Sequence, residues 1–408
     1  MHAPLPPPPA LLAPRMSRIA ASPAAVLRRR ARELRAAGRD VIELSSGDLD
    51  FATPAHVVEA AAAAARRGET RYTNADGTPE LKDAIRAALQ HQNGLDVTRD
   101  EVIVTAGSTQ ALFEALFATL APGDEVIVPT PCWMPYVEQV RLADGTPVLL
   151  PCAAENGFRL RPDELDAAIT PRTRWLVLNN PVNPTGVVYS AEELAALADV
   201  LAAHRHVWVL ADGLYEHIVF DGRRAPTLAE VAPDLRERTL TVGGVAKSYA
   251  MMGWRVGWAA GPAPLVREMA KIQSQTTSCP SSISQAAALA ALTGPQDVLA
   301  ERATELAARR DAFVRLLNGC DGLSCTAPAG TFYLFASCAG LIGKAAPDGR
   351  EIRTDRDFAA YLLDSVDVAV VPGADLGLSP YVRASFAPSP AVIEEAARRI
   401  RRACAQLA

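Results

Sequence analysis

No stretch of the 408-residue sequence is apolar for long enough to span a bilayer, and alanine-rich runs such as "VVEAAAAAARRGE" fall short in both length and hydrophobicity. A helical membrane protein is therefore excluded. Basic charge is not in excess either: 41 Lys and Arg against 46 Asp and Glu leave a net charge of -5. With no basic run, zinc-finger spacing or arginine-rich tail, the chain has no nucleic-acid footprint. Cysteine is sparse and unpatterned, seven residues at 132, 152, 279, 320, 325, 338 and 404. An odd, scattered set reads as reduced thiols of a cytoplasmic protein, not as a disulfide framework or a metal site. The opening "MHAPLPPPPALLAP" is too rich in proline for a helix and lacks the basic and apolar regions of a signal peptide. Residues 1–14 read as a disordered tail, with no room in it for a DNA-binding helix-turn-helix.

What is present is globular: 49% hydrophobic and 21% charged residues, in a chain long enough for two domains. Helical patterns over 22–37, 55–67, 79–91 and 108–120 alternate with compact apolar runs such as "EVIVTAG", "TRWLVLNNP", "VWVLADG" and "TLTVGG". Near-continuous apolar strands between helices predict an α/β fold, a large three-layer α/β/α domain on a mostly parallel sheet. This large domain is expected over residues 51–296. From about 297 a long amphipathic helix, "GTFYLFAS", "VAVVPG", "YVRASFA" and a final helix predict a smaller α+β domain, which residues 15–50 are expected to join.

Parallel sheets bind ligands beyond the carboxyl ends of their strands, so the polar residues there are the candidates. In "GVAKSYAMMGWRVG" only Lys247 and Arg255 are cationic, and a buried charge requires a compensating partner. "TAGSTQ" is a strand end, Gly107, and two hydroxyl residues opening a helix. Ser108 is expected as its N-cap, and Ser108 and Thr109 sit where backbone N–H groups favour a phosphate. Asp212 ends "VWVLAD", either as a structural cap or as a counterion to a protonated ring nitrogen, with Tyr215 three residues on. Trp133 offers a stacking face or a core side chain. "NNPVNPTG" is a rigid turn in which Asn183 is the ligand-facing candidate and Asn179 and Asn180 equally serve the loop backbone. Arg383 in "YVRASFA" reads either as a surface arginine on an edge strand or as a carboxylate clamp.

In this order and spacing, these segments, with "GDLDFATP", "RYTNADGTPELKDAI", "PGDEVIVPTPCW" and "GTFYLF", make the chain resemble the class I/II pyridoxal-phosphate-dependent aminotransferases of fold type I, in the bacterial-type aspartate aminotransferase group. The resemblance implies pyridoxal 5'-phosphate as cofactor, no metal, and transfer of an amino group from an L-amino acid to a 2-oxo acid. It implies that Lys247 forms the internal aldimine. Arg255 with Gly107, Ser108 and Thr109 would bind the phosphate, Asp212 would pair with the ring nitrogen, and Tyr215 and Asn183 would hold the ring hydroxyl. Trp133 would stack on the ring, and Arg383 with Gly47 would bind the substrate α-carboxylate. Tyr72 would reach the phosphate of a neighbouring subunit, which implies a homodimer with shared sites.

Several positions depart from the pattern. Ala246 stands where a serine is usual, Gly213 where a glutamate is common, Leu49 in place of a proline, and Thr109 where many relatives have lysine. They keep open a related pyridoxal-phosphate lyase or cyclase as the alternative. The helix after the phosphate turn, "QALFEALFATL", carries no Lys or Arg for a second carboxylate. An uncharged amino donor is therefore expected to be at least comparable with aspartate.

Overall fold

The computed structural model of the chain describes residues 11–21 and 23–408, so most of the tail expected over 1–14, residues 1–10, lies outside the described residues. Strand β1 (Ile42–Glu43) stands apart from a seven-stranded sheet made of β2 (Val102–Thr105), β3 (Glu125–Thr130), β4 (Thr146–Pro151), β5 (Thr173–Asn179), β6 (Trp208–Asp212), β7 (Thr239–Gly244) and β8 (Gly257–Ala260). Its order is β2-β8-β7-β6-β5-β3-β4. Only β8 runs against its neighbours, pairing antiparallel with β2 and β7. The central strands do not alternate in polarity because both faces are covered. In β6, Leu210 packs with Leu112, Val137 and Met269 on one side, whereas Val209 and Ala211 pack with Leu194 and Leu197 on the other. Three layers result, with every βα turn of the parallel strands opening at the same edge.

The smaller α+β unit has an antiparallel sheet of β9 (Tyr333–Ser337), β11 (Val371–Pro372) and β12 (Tyr381–Ser385), backed by helices Asp297–Asn318, Asp355–Val366 and Pro390–Cys404. The run "VAVVPG" is divided between two strands. Its first half is β10 (Val368–Ala369), parallel to β1, and its second half is β11, which joins β12. The β1–β10 pairing attaches the segment around "DVIELSSG" to this unit, with Ala31, Leu34 and Val41 packed on Leu363 and Ala369. Leu49 is buried in the same unit's core. The apolar patterns do not mark helix Ser282–Thr293, because "SISQAAALAALT" is small or apolar almost all round and has no amphipathic period. They also miss β4, a half-exposed edge strand with prolines at 147 and 151.

Candidate active site

A cavity of about 510 Å³ opens at the carboxyl edge of the large sheet. Gly107, Ser108 and Thr109 line it from the turn after β2, Trp133 from the loop after β3, and Asn183 from the loop after β5. Asp212 and Tyr215 enter at the end of β6, and Lys247 and Arg255 from the connection between β7 and β8. Gly47 and Arg383 line it from the smaller unit. Tyr72 does not line it. Its side chain is 89% exposed, beside a separate concavity of about 740 Å³.

Lys247 Nζ donates a hydrogen bond to the carbonyl of Gly47 at 2.7 Å and lies 5.6 Å from the centre of the Phe332 ring. Burial lowers the pKa of this ammonium below the usual lysine range. Tyr333 and Asp48 oppose that shift, and the positive charges of Arg383 and Arg255 add to it. The result is a side chain biased toward the neutral amine, which is the nucleophilic and basic form.

Asp212 is buried, and neutral donors hold both of its oxygens. The Tyr136 hydroxyl donates to Oδ2 at 2.6 Å and the Leu214 N–H to Oδ1 at 3.0 Å. Burial raises the Asp212 pKa, and the two hydrogen bonds pull it back. Tyr136 is a site residue that sequence reading missed. It lies three positions from Trp133 in "PTPCWMPY" and touches the Trp133 ring edge-on, with centroids 5.1 Å apart. The asparagines divide their work. Asn179 Nδ2 donates to the Asp212 carbonyl, and its Oδ1 accepts from Asn183 N. Asn180 holds Pro226 O and Tyr189 N. Of the three, only Asn183 pairs with the charged group of a pocket residue, accepting from the Arg383 guanidinium.

The helix Ser108–Thr119 corrects one expectation: its N-cap is Gly107, and Ser108 is its first residue. Gly107 takes φ 92°, a conformation that a residue with a Cβ adopts only under strain, and a Cβ there would also strike the Arg255 guanidinium. The Ser108 hydroxyl therefore makes no capping bond; of the first-turn N–H groups, that of Gln110 is taken by the Gly107 carbonyl, while Ser108 and Thr109 line the pocket. β8 passes so close behind that a Cβ on Gly257 would strike Ser108 N. Arg255, itself left-handed at φ 56°, is steadied by the carbonyls of Met252 at 2.9 Å and Ala106 at 3.5 Å. Ala246 lines the pocket beside them without a polar side-chain atom.

Arg383 is buried on the middle strand of the three-stranded sheet, not on an edge. Its Nη1 donates to Asn183 Oδ1 at 3.0 Å and its Nη2 to Ser45 O at 2.9 Å, while Nε is buried with no partner among the described residues. The guanidinium lies over the Tyr333 ring at 4.3 Å, and Tyr333 Oη is 3.3 Å from Tyr215 Oη. A second residue that the sequence did not mark is Arg28, from helix Pro23–Ala36, which also lines the cavity. The arrangement pairs a desolvated amine with a buried carboxylate, two guanidinium groups and a glycine-cornered helix start.

The family model described as "Aminotransferase class I and II" matches residues 39–400. The aspartate/prephenate aminotransferase of Cereibacter sphaeroides is 48% identical over 398 residues, covering 98% of this chain and 100% of that one. The crystal structure of the aspartate aminotransferase from Rhizobium meliloti superposes with a TM-score of 0.95 at 53% identity, over 98% of this chain and 100% of that one. The aspartate aminotransferase of Thermus thermophilus, solved with maleate, gives a TM-score of 0.89 at 40% identity, over 96% and 99% of the two chains. Among the described residues no helix is long and apolar enough to cross a membrane.

Proposed function

The chain belongs to the class I and II pyridoxal-phosphate-dependent aminotransferases of fold type I and moves an amino group from an amino acid to a 2-oxo acid; on that premise we propose that Lys247 is its proton carrier and Arg383 its substrate clamp. The relatives named above are all aminotransferases, so the lyase or cyclase alternative raised by Ala246, Gly213 and Leu49 is not favoured.

The pocket fits pyridoxal 5'-phosphate. Asp212 is a buried carboxylate held only by neutral donors, suited to a ring N–H⁺. The turn at Gly107, Ser108 and Thr109 with Arg255 suits a phosphate. Trp133 offers a flat face to the ring, and Asn183 and Tyr215 offer polar atoms to its hydroxyl. When bound, the cofactor supplies an aldehyde that receives the amino group and a ring that takes up the electron pair left at Cα. Lys247 would hold it through Nζ and, as a neutral amine, move the proton at the substrate Cα. Arg383 offers a planar fork to the α-carboxylate, with Gly47 leaving room beside it: a Cβ there would strike Tyr333 Oη. Fixing the carboxylate fixes which bond at Cα faces Lys247.

We propose an acidic amino donor, aspartate being the one the relatives are named for, in place of the uncharged donor expected from "QALFEALFATL". That helix indeed brings no cation, but Arg28 comes from another element. Its neighbours Arg29 and Arg30 reach Glu33, whereas Arg28 has no ion pair among the described residues. The pocket carboxylates are otherwise engaged, Asp375 with Arg356 and Asp48 with the Ser46 hydroxyl. Tyr72, exposed in one chain, is proposed to reach the phosphate in a homodimer with shared sites. The small domain is proposed as residues 15–50 with 297–408, and seven free thiols suit a cytoplasmic enzyme.

The observation that carries this reading is the half-buried Lys247, whose Nζ makes one hydrogen bond among the described residues, to a carbonyl. Borohydride treatment of the cofactor-loaded protein, followed by digestion and mass spectrometry, should place the label on Lys247. A label on another lysine overturns the assignment. Lys247→Ala should still bind the cofactor and lose turnover by roughly 10²–10⁴-fold.

A further inference from the structure

Glu114 is an acidic side chain that the site leaves unused. It sits inside the helix that starts at Ser108, and it is buried. Its Oε1 accepts from Gln110 Nε2 at 2.8 Å, and its Oε2 is buried with no partner among the described residues. No cation faces it. Its own helix has no other charge, and neither do β2, β7 and β8, on which that helix packs. On helix Ala263–Thr276, Arg267, Glu268 and Lys271 are exposed. On helix Pro135–Leu142, Tyr136 is turned to Asp212, and Glu138 pairs with Arg141. Burial pushes the Glu114 carboxyl up to about 8, against the opposing pull of Gln110.

Gln273 has the matching defect. Its Nε2 donates to the carbonyls of Ala75 and Val104, which fixes the amide orientation, and its Oε1 is buried without a partner among the described residues. The two helices pack together and run antiparallel, because each returns along its own strand and β2 is antiparallel to β8. Gln110 Nε2 reaches Thr277 Oγ1 at 2.8 Å and sets their register. One turn onward from Gln110 is Glu114, and one turn back from Thr277 is Gln273. Two orphaned acceptors on facing turns satisfy each other once one of them carries a proton. Gln139 also has a buried unpaired oxygen, but its amide donates to Thr109 O, off the face shared by Gln110 and Glu114.

We propose that Glu114 is carried as the neutral acid, its Oε2–H donated to Gln273 Oε1, and that this proton ties the phosphate turn to the loop bearing Tyr72. On one side Gln110 Oε1 accepts from Ala106 N at 2.8 Å, next to Gly107. On the other side Gln273 holds the Ala75 carbonyl in "RYTNADG". Glu114 is thus a positioning residue. Its proton is independent of the phosphate-binding assignment, whereas its effect on cofactor retention rests on that assignment.

The test compares the unfolding of the full-length holoenzyme and its Glu114→Gln variant across pH. The glutamine amide donates where the acid does and does not titrate. Between about 5 and about 8 the folded carboxyl keeps a proton that the unfolded one has lost, so wild type should lose stability relative to E114Q as pH rises through that window and run parallel above it. Parallel curves throughout overturn the neutral acid. Glu114→Met, also non-titrating, gives the same comparison if E114Q does not fold. In a Gln273→Leu background the divergence should end at a lower pH, because the acid has lost its acceptor; an unmoved end point overturns Gln273 as the partner. Between pH 7 and 9 cofactor dissociation constants should rise about tenfold more in wild type than in E114Q. Equal rises overturn the tie to the phosphate turn even where the unfolding curves establish the proton, and a chain that never binds cofactor instead fails the assignment of the site.

Discussion

Asp212 and Arg383 face one pocket with opposite charges, and each is buried among neutral dipoles, yet the two regions that hold them are built differently. Asp212 ends a central strand of the large sheet. Its supports are Tyr136 in the helix that follows β3 and the Asn179 side chain at the end of the adjacent β5. Arg383 is held across a seam, by Asn183 from the large domain and by Ser45 from the segment after β1, 200 and 338 residues away in sequence. The end of the site proposed for the cofactor ring is therefore set within one sheet. The end proposed for the substrate depends on three chain segments meeting, and the Arg383 guanidinium keeps an Nε with no partner among the described residues. On the proposed roles, a charge set within one sheet suits a bound ring, and a clamp shared between units suits a ligand that comes and goes.

Between the two regions, the larger effect is expected at the seam. Arg383→Lys retains the charge but loses the planar fork and the stacking on Tyr333, so kcat/KM should fall by roughly 10²-fold, about 2.7 kcal/mol. A panel of amino donors against one 2-oxo acid should show a similar factor for all, because every donor has the α-carboxylate. A reordered panel would mean that Arg383 reads something else. Tyr136→Phe probes the other region. It removes a hydrogen bond to a buried carboxylate, worth about 1.5 kcal/mol, so the half-reaction should slow roughly tenfold. The sign of its pH effect is fixed: Tyr136 lowers a pKa that burial raises, so its loss raises the Asp212 pKa and moves the acid limb of the rate profile to higher pH. An unmoved limb would show that Asp212 does not need Tyr136. The smallest effect is expected at the mouth. Arg28→Ala should lower kcat/KM several-fold for aspartate and glutamate and leave alanine and phenylalanine unchanged, in keeping with the roughly 1 kcal/mol of an exposed ion pair. Equal losses for all four donors would remove Arg28 from the recognition of the second carboxylate.

Much of this was legible in the order of residues. The central strands read as buried because apolar runs without alternation have few other uses, and their polar ends pointed to Asp212, Lys247 and the Gly107 turn. The expected helices over 55–67 and 108–120 end within a residue of those observed, Ala55–Arg66 and Ser108–Thr119. Helix Ser282–Thr293 was not legible, since a helix buried nearly all round leaves no period. Nor was the cap. Serine is the better N-cap by propensity, but β8 and Arg255 crowd the turn so closely that the residue without a Cβ must take the corner.

The identities of the lysine, the carboxylate and the arginines, and the α/β alternation that carries them to one edge, are properties of the linear chain, because each depends on residue type and on spacing within an element. The partners of those groups are not. Tyr136 finds Asp212 across 76 positions, and Lys247 finds the Gly47 carbonyl across 200. Glu114 comes opposite Gln273 only because β8 inserts beside β2 and turns their helices antiparallel. Strand order and helix register are set by the packing of whole faces against one another. No local pattern records that sum, so the charge each group carries and what compensates it are decided when the layers close.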